Sequence, residues 1–155
     1  GYAYRVVNAG VSGDTTAGGL RRVDWVLRSG PEVVVVALGA NDGLRGQDPD
    51  SIEAKIQAII DRIRSRDSTI RIALIQMEAL PNLGRRYVSR FHAIYPELAA
   101  RNNITLLPFL LDGVAERREW FLPDQLHPAA VAQPRILDNV WPTLEPLLRQ
   151  RPRGS

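Results

Sequence analysis

Asp124-Gln125-Leu126-His127-Pro128 sets a carboxylate three residues ahead of an imidazole. In a tight turn that spacing lets the aspartate accept from the ring Nδ1–H, which fixes the tautomer and leaves Nε2 as a proton acceptor. Such a pair is half of a nucleophilic triad. The same residues also fit a capped helix start, because an aspartate and a proline near the first helical position are both N-terminal signals. Two further polar stretches stand out, Ser12-Gly13-Asp14 and Asn41-Asp42-Gly43. Asn, Asp and Gly are also ordinary turn residues, so chemistry at these positions depends on where the chain delivers them.

The delivering element is Val33-Val34-Val35-Val36-Ala37-Leu38, an apolar, mostly β-branched run ending at Gly39. It reads as a strand buried on both faces, and it hands Asn41 and Asp42 to the carboxyl edge of a parallel sheet, where ligands bind in open α/β folds. Upstream, residues 4–8 read as a strand and 9–16 as a glycine-rich turn. A helix follows on Leu20, Val23, Val26 and Leu27, stopped by Gly30-Pro31. Asp50 with Glu53 forms a capping-box pattern ahead of Ile52, Ile56, Ile59, Ile60 and Ile63, which share one helical face. Residues 70–76 make the next strand, 77–84 a loop, 85–101 a helix, 104–107 another strand, 109–122 a short helix with irregular flanks, and 131–148 a terminal helix bent around its prolines. Strict alternation predicts an α/β fold with a doubly wound parallel sheet in a single domain over 1–155. The loops carrying Ser12-Gly13-Asp14, Asn41-Asp42 and Asp124 to His127 then converge on one edge.

Composition removes several function classes. The 155 residues carry a formal charge of +3. Lys55 is the sole lysine, and the arginines are interleaved with acids, as in Asp61-Arg62-Ile63-Arg64-Ser65-Arg66-Asp67, which argues against a nucleic-acid surface. No apolar run approaches the roughly 20 residues of a membrane-spanning helix. Without cysteine there is no disulfide, thiolate metal site or cysteine nucleophile. His92 and His127 stand far apart in sequence and no His-Glu-x-x-His occurs, so no metal is expected, and His92 reads as a helix-surface residue. No phosphate loop surrounds Lys55. Trp25, Trp120 and Trp141 fall among helical apolar positions and read as core.

Asn8-Ala9-Gly10-Val11-Ser12-Gly13-Asp14-Thr15, Leu38-Gly39-Ala40-Asn41-Asp42-Gly43-Leu44-Arg45-Gly46 and Asp124-Gln125-Leu126-His127-Pro128 resemble, in order and spacing, three blocks of the SGNH (GDSL-type) hydrolases. Gly84-Arg85-Arg86-Tyr87 and Ile94-Tyr95-Pro96 are similar to the arylesterase, thioesterase I and lysophospholipase L branch. The resemblance covers essentially the whole chain. It implies a flavodoxin-like fold and a serine esterase acting on carboxylic esters or thioesters of small acyl substrates, without a cofactor. It further implies that the Gly13 N–H and Asn41 amide act as oxyanion-hole donors, His127 as general base and Asp124 as its orienter. The setting implied is periplasmic or secreted, which the residues themselves leave open.

The family's Gly-Asp-Ser-Leu block, which carries the nucleophile at the end of a first strand, has no counterpart here. Ser12 resembles a nucleophile elbow only in part, since Asp14 stands where that motif requires glycine. The other serines, Ser29, Ser51, Ser65, Ser68 and Ser89, lie on or beside helices with no acid–base partner in sequence. The expectation is therefore an N-terminally incomplete domain lacking its catalytic serine. In the family's strand order 2-1-3-4-5 the absent strand is the central one, supplied by a separate segment or by a second, strand-donating chain. The alternative is an inert domain of the same fold that binds acyl or glycan ligands. The apolar residues Leu80, Leu83, Phe109 and Leu110 suit either an acyl cleft or packing beneath a loop.

Overall fold

The computed structural model describes residues 2–149. Along the chain run α1 (Thr16–Val26), β1 (Val33–Val36), α2 (Ala40–Leu44), α3 (Pro49–Arg66), β2 (Arg71–Ile75), α4 (Arg85–Asn102), β3 (Thr105–Leu107) and α5 (Gln133–Arg149). The strands are parallel in the order β1-β2-β3. Val33 faces Arg71 and Val36 faces Leu74 across one seam, while Ala73 faces Thr105 and Ile75 faces Leu107 across the other. Parallel neighbours need crossovers, and α3 and α4 provide them. α1 packs on α3 and α3 on α4, while α5 lies against β3. The five isoleucines of α3 named above are all buried, so the helical spacing reads the packed face correctly.

β2 is buried from Ile72 to Ile75, as befits the middle strand. β1 differs from the sequence expectation: it is shorter than 33–38, and Val35 is 44% exposed. Its second edge meets no strand among the described residues, so only one side of its ladder is closed. Residues 4–8, expected as a strand, form none and pair with no strand among the described residues, with Val6 90% exposed. A β-branched run becomes a strand only beside an edge about 4.8 Å away, and this segment has none among the described residues. It is held through tyrosines instead. The Tyr4 hydroxyl donates to the Leu148 carbonyl (3.1 Å) and the Tyr2 hydroxyl to Glu145 (2.8 Å), with the Tyr2 ring 6.1 Å from Trp141.

Three smaller corrections follow. The α3 N-cap is Asp48, which accepts from the Ser51 N–H, rather than Asp50; Pro49 then occupies the first helical position that suits it. Residues 109–122 are mostly turns with one 3₁₀ segment at Arg118–Trp120, because Gly113 takes a φ of 67° that ends helical propagation. Trp25 is 66% exposed on α1 and contributes nothing to the core.

The turn from β1 into α2 is held by one close approach. Gly39 has φ 111°, and a Cβ there would lie 2.0 Å from the Tyr95 hydroxyl oxygen. That hydroxyl donates to the Leu38 carbonyl at 3.1 Å, and burial, with the charge of Asp42 as a lesser cause, pushes its pKa far up, so it remains a donor. Tyr95→Phe is expected to lower the unfolding free energy by about 1–3 kcal/mol, the cost of orphaning a part-buried carbonyl. Gly39→Ala should cost more, since left-handed strain adds to the clash. Urea denaturation of both single variants and the double variant checks the contact: the double variant should lose less than the sum, and strict additivity would refute it.

Candidate active site

The residues after β1 and before α1 meet at several points. The Asn41 side chain donates from Nδ2 to the Asp14 carbonyl (2.9 Å). Asp42, fully buried, accepts from the Thr16 backbone N–H (2.9 Å) and from the Thr16 hydroxyl (2.6 Å). Arg45 donates to the Gly13 carbonyl (3.3 Å). Gly13 itself has φ 74° and open space where a Cβ would stand. Its backbone conformation, rather than crowding by neighbouring atoms, is what favours glycine there. The two residues carrying the expected oxyanion donors are thus joined through Asp14. An amide nitrogen has two hydrogens, and the Asp14 carbonyl engages only one of them.

Asp124 and His127 lie in the connection from β3 to α5, inside a narrow hairpin-like turn. Phe121 and Pro128 form an antiparallel bridge, and Leu122 N–H donates to the His127 carbonyl (2.8 Å) while Ala129 N–H donates to Trp120 (2.7 Å). The Arg117 guanidinium lies 4.6 Å from the Trp120 ring centre, bracing the base of the turn. Within it, His127 Nδ1 is 2.7 Å from Asp124 Oδ2, and the other carboxylate oxygen accepts from the backbone N–H groups of Leu126 (2.9 Å) and His127 (3.0 Å). The hydrogen bond from the His127 ring, then those two backbone donors, hold the Asp124 carboxyl down at about 2. With Nδ1 committed to the carboxylate, Nε2 is left as the free basic nitrogen. Asp124 is not a helix cap, since α5 starts only at Gln133.

The fold therefore brings together Gly13 with Asn41, and Asp124 with His127. No hydrogen bond among the described residues joins the two pairs. Both connections leave the carboxyl ends of parallel strands, β1 and β3, and so start from one sheet edge. Of the apolar loop residues, Leu110 packs against the core, while Leu80 is 47% exposed. The loop 77–84 leans toward α2: Leu83 lies close to Gly46, and the Tyr87 hydroxyl donates to the Gln47 carbonyl (2.6 Å). His92 is exposed on α4 as expected, with Nδ1 2.8 Å from Glu78. Sequence reasoning singled out Asp42 but not its bond to Thr16, and it missed Arg22, which carries no local motif. Among the described residues no three His, Asp or Glu are grouped to hold a metal, and no helix is long and apolar enough to cross a membrane.

Known proteins share this arrangement of elements. The esterase TesA of Pseudomonas aeruginosa is 44% identical over 149 residues, 96% of this chain and 73% of that protein. The Escherichia coli K12 protein named thioesterase 1/protease 1/lysophospholipase L1 is 40% identical over 144 residues, 92% of this chain and 68% of that protein. Among solved structures, TesA superposes with a TM-score of 0.87 at 43% identity, covering 95% of this chain and 81% of that one. The psychrotrophic esterase EstA from a Pseudoalteromonas species gives 0.85 at 31% identity, covering 93% and 78%. The model of the GDSL-like lipase/acylhydrolase family matches residues 1–133, and with these relatives it establishes that the chain belongs to that family.

Proposed function

We propose that this domain is the body of a serine esterase that hydrolyses carboxylic ester or thioester bonds of acyl substrates. The observation that carries this is the Asp124–His127 pair at 2.7 Å, in a connection that leaves the same sheet edge as the Asn41 turn. The names of the relatives, esterase and thioesterase, agree with it in chemical class.

In this reading a serine hydroxyl attacks the acyl carbonyl while His127 Nε2 takes its proton. Asp124 holds the imidazole and stabilises the imidazolium that forms. The developing oxyanion accepts from the Gly13 N–H, the Asn41 amide and the serine's own N–H. Collapse expels the alcohol or thiol with a proton from His127, and water repeats the sequence on the acyl enzyme. Asn41 suits its place because an amide donates to the oxyanion without entering the proton transfer.

The serine is assigned to a strand beside the open edge of β1, in the segment that carries the family's Gly-Asp-Ser-Leu block. Two features support this: β1 has an edge without a strand partner among the described residues and leaves Val35 exposed, and residues 4–8 pair with no strand and leave Val6 exposed. A strand parallel to β1 there would end beside the Asn41 turn. Ser12, exposed in its own loop, is the competing candidate.

Three outcomes test these roles. The 155-residue chain should hydrolyse a short-chain aryl ester only when supplied with a peptide carrying the family's nucleophile strand. Full activity without the peptide would move the nucleophile to Ser12. In the active enzyme, Asn41→Ala should lower kcat by roughly 100- to 1,000-fold, and His127→Ala by on the order of a million-fold. A near-normal kcat in either variant would remove that residue from its role.

The third outcome is a titration. Asp124 is depressed from its ordinary 3.8 to about 2 in the folded protein, so the stabilisation it contributes is complete above 3.8 and lost as pH falls through 2. Carboxyl-carbon NMR should give a midpoint near 2 for Asp124, rising toward 3.8 in His127→Ala. A midpoint near 3.8 in the unsubstituted protein would show that the pair does not form in solution.

A further inference from the structure

We infer that Arg22 and Asp14 are positioning residues for the oxyanion hole: one guanidinium brackets the exposed loop 8–15 and fixes the Asp14 carbonyl that orients the Asn41 amide. This rests on the oxyanion role proposed above for Gly13 and Asn41.

That loop has little packing of its own. Gly10, Val11, Ser12 and Gly13 are all exposed, yet Gly13 must keep its N–H aligned with a donor on another element, α2. Catalytic donors lose their effect when they drift by a fraction of an ångström. Something other than burial has to hold the segment.

Arg22 sits on α1 next to the buried Val23, and its guanidinium reaches back over the loop. Its Nε donates to Asp14 Oδ2 at 2.7 Å, and one terminal nitrogen donates to the Ala9 carbonyl. The two contacts close the six-residue span from Ala9 to Asp14 onto a rigid helix. The other Asp14 oxygen accepts from the Thr15 N–H (3.0 Å), and the Asp14 N–H closes a turn onto the Val11 carbonyl (3.2 Å). Asp14 is thereby held through its side chain and its N–H, which leaves its carbonyl aimed at Asn41 Nδ2 (2.9 Å).

Gly18 shows that α1 makes room for this bracket. A Cβ at Gly18 would lie 1.6 Å from Asp14 Oδ1. Glycine inside a helix costs about 1 kcal/mol relative to alanine, and here the carboxylate occupies the space alanine would take. The pair is also sheltered, with side-chain exposures of 27% for Arg22 and 13% for Asp14, so it is more than a solvated surface ion pair. Lysine could meet either partner but lacks the planar fork that spans both.

The test uses the active enzyme with its serine strand in place and a short-chain aryl ester. Arg22→Lys and Asp14→Asn should each lower kcat by about 10- to 100-fold while KM changes little, because misplaced donors act on the transition state. In an Asn41→Ala background, Arg22→Lys should add less than about threefold, since both act through one amide. NMR of the Asn41 side-chain amide should show its protected hydrogen exchanging faster in Arg22→Lys. This readout needs no turnover and would not move if Arg22 served only general stability. An unchanged kcat in Arg22→Lys alongside a depressed kcat in Asn41→Ala would overturn the bracket and leave the oxyanion role intact. Fully multiplicative losses would also overturn it. An unaffected kcat in Asn41→Ala would instead refute the oxyanion role itself, and with it the catalytic consequence of the bracket. If Arg22→Lys does not fold, Asp14→Asn, nearly isosteric, carries the same decision.

Discussion

The buried carboxylate of Asp42 is the contact on which the site depends. A carboxylate removed from water is costly unless its oxygens are satisfied, and here both are, by the Thr16 N–H and hydroxyl. Thr16 is the first residue of α1, so the charge also sits at the positive end of that helix. Asp42 belongs to α2, which follows β1, whereas Thr16 opens α1 at the start of the α1–β1 unit. The bond therefore ties the starts of two helices together and brings residues 13 and 41 into one neighbourhood. The same charge reaches into α4: after burial itself, it is the next cause raising the Tyr95 and Tyr87 hydroxyls. Both keep their protons and donate to the carbonyls of Leu38 and Gln47, on either side of α2.

The two halves of the site are held by different physics. The donor half is anchored by long-range contacts, from Asp42, Asn41 and Arg45 to the loop ahead of α1. The base half is held locally: among the described residues, the hydrogen bonds that fix Asp124 and His127 come from residues 120–129. His127 is 60% exposed at its side chain, which suits the proton exchange with substrate and water proposed for it. A self-contained turn keeps the Nδ1 contact independent of how the rest of the cleft is filled. The donors have no such local support, since an oxyanion hole needs groups from separate elements to converge.

What was legible from sequence followed periodicity and local chemistry. The isoleucine face of α3, the β2 strand and the Asp124–His127 spacing all depend on residues near one another, and each appears where it was expected. The failures depend on what lies alongside. Val33 to Leu38 looked like a doubly buried strand, but a run of valines does not say which edge has a neighbour, and Val35 is exposed. Residues 4–8 have strand chemistry without a paired edge. Asp48 and Asp50 offer the same cap, and only the position of Pro49 favours the former. Trp25 fits the helical spacing of α1, but its place on the helix faces solvent. The contacts of Asp42 and Arg22 carry no local signal because their partners lie 26 and 8 to 13 residues away.

The most direct measurement of the central claim is a crystal structure of the active enzyme after reaction with an alkyl phosphonate ester, whose phosphoryl oxygen stands where the oxyanion forms. That oxygen should lie about 2.7–3.1 Å from both the Gly13 backbone nitrogen and Asn41 Nδ2, with His127 Nε2 facing the phosphorylated serine. A phosphoryl oxygen turned away from Asn41, with the amide still bound only to the Asp14 carbonyl, would contradict the account.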